Sequence, residues 1–157
     1  MKWCLIGILI TLIMIIAKAV SDQYKDKYNF YFNLKNLLVQ FQINLSFKKD
    51  KVIDFLNKSS GKKQFKTFID EYKNYLEGGE ICLDKITLLD DYEKEDLIEI
   101  ITNLGSSNSE NEIKKLASFI EIINLKLEKA QQDKNKLCPL IIKLSLLFSL
   151  ALSILLI

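Results

Sequence analysis

The chain has 157 residues, a length that suits one folded domain with accessory segments. All 22 basic residues are lysines and histidine is absent, which excludes arginine-finger chemistry, histidine-dependent nucleophilic catalysis and imidazole zinc sites. A net charge of +2 spread over a mixed-sign interior also argues against a nucleic-acid partner, which normally requires a basic surface.

The first predicted element is a membrane-spanning helix. From Trp3 to Val20 the residues are apolar or small apart from Thr11 and Lys18. As a helix this stretch is about 27 Å long, close to the roughly 30 Å hydrocarbon core of a bilayer. Lys2, the apolar run and the sequence Ala17-Lys18-Ala19 also resemble a secretory signal peptide with a small-residue cleavage site.

The next segments are predicted to be amphipathic helices. Residues 21–136 contain no proline, and their few glycines fall at Gly61, Gly78-Gly79 and Gly105, where they punctuate helices. Apolar residues recur at threes and fours, which predicts one buried face on each helix. In a continuation of the membrane span they are Tyr24, Tyr28, Tyr31, Leu34, Leu38, Phe41 and Leu45. In a short helix that begins at Asp50 they are Val52, Ile53, Phe55 and Leu56. In a third helix, which ends before Gly78, they are Phe65, Phe68, Ile69, Tyr72 and Leu76.

The last two interior helices have marked starts, after a short piece of uncertain type from Ile81 to Leu89. Asp90 with Glu93, and Ser109 with Glu112, have capping-box spacing. The apolar residues that follow are Leu97, Ile100, Ile101 and Leu104 in one helix, and Ile113, Leu116, Ala117, Ile120, Ile123, Leu127 and Ala130 in the other. A second apolar line on the final helix, Phe119, Ile122 and Leu125, is expected to be bundle core rather than a partner surface.

The second membrane span is predicted at residues 137–157. Only serines and Lys143 interrupt its apolar sequence, and Lys143 can snorkel to the interface. Pro139 falls in its first turn, where a missing amide proton costs little. Ser145, Ser149 and Ser153 are spaced at fours, which fits either close helix approach or an ordinary anchor.

The predicted fold class is therefore all-α: a bundle of about five to six helices flanked by two transmembrane helices. The predicted divisions are residues 1–20 as the N-terminal span, 21–136 as the helical domain and 137–157 as the C-terminal span. Seven lysines flank the interior ends of the spans, which favours a cytoplasmic interior by the positive-inside rule and places both termini across the membrane. They are Lys18, Lys25, Lys27, Lys126, Lys129, Lys134 and Lys136.

No catalytic constellation is recognisable. The acidic run from Asp90 to Asp96 lacks the alternating Asp and central Gly of a calcium loop, and no Gly-rich phosphate loop is present. The three cysteines, Cys4, Cys82 and Cys138, match neither a zinc pattern nor a disulfide framework, and Cys82 is expected to be a small buried hydrophobe. We therefore expect no enzyme activity, cofactor or metal.

The layout resembles the stage III sporulation protein AB family, a membrane component of the channel apparatus between mother cell and forespore. The most specific match begins near Leu97 and resembles the family segment Leu-Gly-x-Ser-Asp-x-x-x-Gln-x-Lys, with Asn108 and Glu112 in place of Asp and Gln. The residues that carry it, and that the resemblance marks as a candidate interface, are Leu104, Gly105, Ser107, Asn108, Glu112 and Lys114.

The resemblance implies a helical domain similar to the cytoplasmic domain of the type II secretion F platform protein, on the mother-cell side of the membrane around the forespore. It implies an architectural role, with a neighbouring secretion-type ATPase and other channel membrane proteins as partners. Self-association into a homo-oligomer stays open.

Three alternatives come from other classes. A secreted, tail-anchored helical binding module would follow from cleavage of the leader. A small holin-like protein also carries two spans, although it does not need an interior of this size. A carboxylate-based hydrolase is the third and has the least support.

Overall fold

The computed structural model describes residues 2–47, 56, 61–103 and 109–156. These residues form four α-helices, and the described ranges contain no β-strand: α1 (Lys2–Phe47), α2 (Lys63–Leu76), α3 (Asp91–Asn103) and α4 (Ser109–Leu156). The all-α prediction is therefore confirmed. The chain divides into two compact units, a terminal unit (Met1–Tyr28 with Lys129–Ile157) and a central unit (Asn29–Glu128).

The predicted number of helices, about five to six, is not matched by the four in the described residues. The difference arises partly because residues 81–89 contain turns rather than a helix. Of the predicted short helix from Asp50, only Leu56 lies within the described residues, where it is helical and fully buried. The two long helices α1 and α4 each contain a predicted span and a predicted amphipathic stretch in one element. Pro139, which is predicted in the first turn of a separate span helix, lies inside α4, and the helix continues on both sides of it.

The core of the central unit comes from the predicted apolar faces. Its aromatic centre is Phe30, whose ring makes edge contacts with Tyr31, Phe65 and Phe68 at centroid distances of 5.8 to 5.9 Å. Phe41 and Tyr72 form another edge contact at 6.4 Å. The other buried apolar residues of this unit are Leu34, Leu37, Leu38, Leu56, Ile69, Leu83, Ile86, Leu89, Leu97, Ile100, Ile101, Leu116 and Ile123.

Local sequence signals fix two helix ends in the central unit. The Asp90 side chain accepts a hydrogen bond from the Glu93 backbone N–H at 2.8 Å, and the Glu93 side chain accepts one from the Asp90 N–H at 3.0 Å. This reciprocal pair confirms the predicted capping box before α3. At the other end of α2, Gly78 adopts a φ of 95°, and the N–H groups of Gly78 and Gly79 donate to carbonyls of the last turn. That arrangement is a Schellman motif, which ends the helix.

The segment between α2 and α3 is irregular but packed. Leu83, Ile86 and Leu89 recur every third residue and are each at most 4% exposed. An ion pair joins Lys85 to Glu71 of α2 at 2.9 Å. The segment thus adds an apolar edge to the core without forming a helix.

Cys82 lies in this segment and is exposed, so the prediction that it is a buried hydrophobe is wrong. Its thiol lies 3.5 Å from the Asp84 carboxylate. The side chain points outward because the neighbouring Leu83 occupies the buried position of the turn. The buried thiol of the described residues is instead Cys138, in the terminal unit.

Candidate functional site

The terminal unit has the properties of a membrane anchor. Two helices are long and apolar enough to cross a membrane, and their most apolar stretches lie within Ile6–Ile43 and Ile113–Leu155. Only 11% and 17% of those stretches are buried, so neither is the buried core helix of a soluble protein. The outward residues are Ile8, Leu9, Leu12, Ile15 and Ile16 on α1, and Leu140, Ile142, Leu144, Leu146, Leu147, Phe148, Leu150, Ile154 and Leu155 on α4.

The two helices of the terminal unit run antiparallel in a fixed register. The Cys138 thiol donates to the Ser21 carbonyl oxygen at 3.4 Å, and the Ser145 hydroxyl lies 3.6 Å from the Met14 sulfur. The two contacts lie seven residues apart on each helix, so the register of the pair is constant over two helical turns. Both ends of the chain therefore lie at the same end of the helix pair.

Small side chains line the contact between these helices. Ala17, Ser21, Cys138, Ser145 and Ser149 are each at most 8% exposed. We call this contact the small-residue seam. The serine hydroxyls of α4 in the seam donate within their own helix, Ser145 to the Ile142 carbonyl at 2.8 Å and Ser149 to the Ser145 carbonyl at 2.7 Å, so both hydroxyls have a hydrogen-bond partner. Small residues let two helix backbones approach closely, which is how membrane helices associate in the absence of a hydrophobic driving force.

The serine line on α4 is visible in the sequence, but sequence reasoning missed its partners on α1. Ala17 and Ser21 lie four residues apart, and that spacing of small residues within an apolar run was the available signal. Of the three serines, Ser145 and Ser149 are buried and Ser153 is half-buried. The structure therefore favours close helix approach over an ordinary anchor.

Lysines mark one end of the charge-free part of the helix pair. In the register set by the Ser21–Cys138 and Met14–Ser145 contacts, Lys18 of α1 and Lys143 of α4 lie within one turn of each other. Toward the termini, no charged residue occurs between Trp3 and Ala17 or beyond Lys143. The charge-free stretch is at least about 20 Å long on each helix.

Further lysines lie beyond Lys18 and Lys143 in the direction away from the chain termini. Lys25 forms an ion pair with Asp22 at 3.0 Å, and this hydrogen bond raises the pKa of the exposed Lys25 ammonium. The Lys134 ammonium lies 3.7 Å from the centroid of the Tyr28 ring, a cation–π contact between the two helices. Both contacts fix lysine ammonium groups at the end of the terminal unit where the chain continues into the central unit.

On the central unit, part of α4 is left uncovered. Leu116 and Ile123 of the first apolar line are fully buried and Ile113, Ile120 and Leu127 are half-buried, whereas Ala117 of the same line is exposed, so its predicted burial is wrong. In the second line, however, Ile122 is 42% exposed and Leu125 is 64% exposed. The expectation that this line is bundle core is therefore wrong for these two residues, because the helices of the unit cover only one side of α4.

The predicted interface residues are only partly described. Leu104, Gly105, Ser107 and Asn108 lie outside the described residues. Glu112 belongs to the first turn of α4, and Lys114 on the same helix is exposed. Lys114 therefore lies at the surface of the helix.

The central unit contains one buried polar group of note. The Tyr31 hydroxyl is buried and makes no hydrogen bond of ordinary geometry. Burial raises the Tyr31 pKa strongly, and the neighbouring carboxylates of Glu93, Asp90 and Asp96 raise it further. The Tyr31 hydroxyl therefore stays neutral.

The described residues contain no cluster of three or more histidine, cysteine, aspartate or glutamate side chains that could hold a metal ion.

Comparison with known proteins identifies a family. The sequence model described as stage III sporulation protein AB matches residues 2–157. No curated protein and no solved structure matches the chain. The match covers both terminal helices as well as the central unit.

Proposed function

Because the chain belongs to the stage III sporulation protein AB family, we propose that it is a non-enzymatic membrane component of a sporulation-specific, secretion-like channel complex between mother cell and forespore. In this role it is a platform on which the complex assembles and a cytoplasmic ATPase docks. The observation that carries the proposal is the antiparallel pair of apolar helices that the two ends of the chain form.

The proposed arrangement has residues 1–20 and 137–157 as membrane spans and residues 21–136 as a cytoplasmic domain on the mother-cell side. Both termini then lie on the far side of the membrane. Two features support this arrangement: the antiparallel helix pair, which keeps the termini together, and the lysines at the end of the pair that leads into the central unit. The same lysines disfavour the secreted, tail-anchored alternative.

Anchoring at both ends gives the platform its mechanism. A domain held by two spans stays close to the membrane and keeps a restricted orientation. Its association with neighbouring membrane subunits then becomes effectively intramolecular, so weak contacts suffice. A packed central unit, with Phe68 and Leu56 at most 1% exposed, supplies a folded surface rather than a flexible linker.

In this scheme nucleotide hydrolysis belongs to the ATPase. The chain has no histidine, no arginine and no Gly-rich phosphate loop, and each of these features is consistent with a structural role. The proposed partners are the secretion-type ATPase, the other membrane proteins of the channel and the lipid bilayer.

The test compares three proteins in sporulating cells. They are the full chain, a variant that lacks residues 137–157, and a control in which both terminal segments are replaced by an unrelated two-span hairpin of the same topology. The readout is the amount of ATPase that co-purifies with the channel proteins from solubilised membranes. We expect the deletion to lower this amount and the replacement hairpin to restore it. Recovery with the deletion equal to that of the full chain would contradict the proposal.

A further inference from the structure

Charge is divided unevenly between the two units. The terminal unit contains eight lysines and three aspartates, a net charge of +5, whereas the central unit contains fourteen lysines and seventeen acidic residues, a net charge of −3. The overall value of +2 hides this division. The excess positive charge thus belongs to the part of the chain that carries the apolar helices.

Nearly all of this positive charge lies at one end of the helix pair. We call these residues the lysine collar: Lys18, Lys25, Lys27, Lys129, Lys134, Lys136 and Lys143. Only Asp22, Asp26 and Asp133 oppose them in the same part of the terminal unit. The remaining lysine of the unit, Lys2, lies at the chain terminus.

The register of the helices arranges the collar in tiers. Lys18 and Lys143 share the first level, at the edge of the charge-free part. Lys25 lies seven residues after Lys18, and Lys136 seven residues before Lys143, so a second level lies about 10 Å further along the pair. The headgroup layer on each side of a bilayer is about 5 to 8 Å thick. With a lysine side chain's reach, both tiers meet that layer.

Several collar lysines are available to a ligand. Lys18, Lys129, Lys136 and Lys143 are exposed, and none of them forms an ion pair with another described residue. Asp22, by contrast, is already paired with Lys25. Exposed ammonium groups at headgroup depth attract anionic lipid, and clusters of four to eight such residues beside a membrane span are typical of this recognition.

We propose that the lysine collar binds the phosphate groups of anionic phospholipids in the leaflet on the side of the central unit. The helix pair then carries a shell enriched in anionic over zwitterionic lipid. This inference rests on the membrane-anchoring part of the proposed function. It adds a lipid ligand class and a definite depth: Lys18 and Lys143 lie at the boundary of the hydrocarbon.

The test uses the full chain reconstituted in phosphatidylcholine bilayers with small amounts of spin-labelled phosphatidylglycerol or phosphatidylcholine. Electron paramagnetic resonance measures the fraction of each labelled lipid that the protein immobilises. We expect the anionic lipid to associate about threefold or more strongly than phosphatidylcholine in low salt. The preference should shrink as salt rises toward 1 M, where the screening length is about 3 Å.

Two matched variants locate the effect. The first combines Lys18→Gln, Lys129→Gln, Lys136→Gln and Lys143→Gln and should bring the ratio of the two lipids close to one. The control changes the same number of charges in the central unit and should keep the preference: Lys63→Gln, Lys66→Gln, Lys114→Gln and Lys115→Gln. Circular dichroism verifies that both variants are folded.

The outcomes separate the inference from the proposed function. A chain that fails to co-float with vesicles would overturn the membrane anchor, and the lipid site with it. A chain that floats but immobilises both lipids equally, or a preference lost equally in both variants, would overturn the lysine collar alone. Loss of the preference on adding inorganic phosphate, beyond the effect of chloride at equal ionic strength, would assign a free phosphate site instead and overturn the lipid assignment.

Discussion

Replacing Ser149 by leucine should weaken the packing of the two terminal helices. Ser149 is 4% exposed and lies one turn from Ser145, which contacts Met14 of the other helix. Leucine brings a larger side chain into a seam lined by small residues. Overpacking of this kind costs about 1 to 3 kcal/mol. The lost hydroxyl adds little, because it donates only to the Ser145 carbonyl within its own helix.

A disulfide equilibrium measures this loss in the bilayer. Ser21 and Cys138 are both at most 8% exposed and meet in the helix contact, where the Cys138 thiol lies 3.4 Å from the Ser21 carbonyl oxygen, so we expect Ser21→Cys to cross-link to Cys138 when the helices are packed. Cys4 and Cys82 are changed to alanine to leave this single pair. With defined thiol–disulfide buffers, we expect Ser149→Leu to lower the effective concentration of the pair by about 5-fold to 150-fold.

The control is Ala151→Leu, which adds bulk to an exposed position two residues away. It should leave the disulfide equilibrium unchanged, because the added carbons face outward. Equal effects of the two substitutions would refute the small-residue seam. A Ser21→Cys protein that forms no cross-link to Cys138 under oxidising conditions would count against the packing of the two helices in this register.

Three predictions concern the central unit, with the free energy of unfolding as readout. Phe68→Ala should lower the free energy of unfolding in urea by about 3 to 5 kcal/mol, because the ring is 1% exposed and contacts three other rings. The control Tyr92→Ala, at an 82% exposed position, should lower it by less than about 0.5 kcal/mol. Equal losses in the two variants would contradict the burial of Phe68 in the core. Gly78→Ala should cost about 1 to 2 kcal/mol, since the φ of 95° is unfavourable for alanine, and an unchanged midpoint would argue against the Schellman turn. The raised pKa of Tyr31 means that the folded state keeps a proton that the unfolded state releases above about pH 10, so stability should fall with rising pH there by up to about 1.4 kcal/mol per pH unit, and Tyr31→Phe should remove that contribution. An alkaline slope identical in the two proteins would show that Tyr31 titrates normally.

Much of the fold could be predicted from the sequence because helices repeat their burial every three or four residues. Leu34, Leu38 and Phe68 are buried where that period places them. The Asp90–Glu93 capping box is equally local, and the structure forms both of its hydrogen bonds. Such signals need no knowledge of distant neighbours.

The errors concern properties that depend on neighbours far along the chain. An apolar face on a helix does not reveal how much of it other helices cover, so Leu125, which the pattern predicts to be buried, is 64% exposed. Likewise, Cys82 and Cys138 are the same residue type, and only the three-dimensional contacts show that the second is buried against Ser21. The small-residue seam of the terminal unit is of the same kind, because it requires knowing which two faces meet.

A cytoplasmic central unit is the claim on which the proposed function depends, and native Cys82 reports on it directly because its side chain is exposed. The measurement uses a Cys4→Ala, Cys138→Ala protein in intact, non-sporulating cells and a membrane-impermeant maleimide. We predict that Cys82 is labelled only after the cells are permeabilised, while Lys2→Cys in a cysteine-free protein is labelled in intact cells. Labelling of Cys82 in intact cells would contradict the cytoplasmic platform.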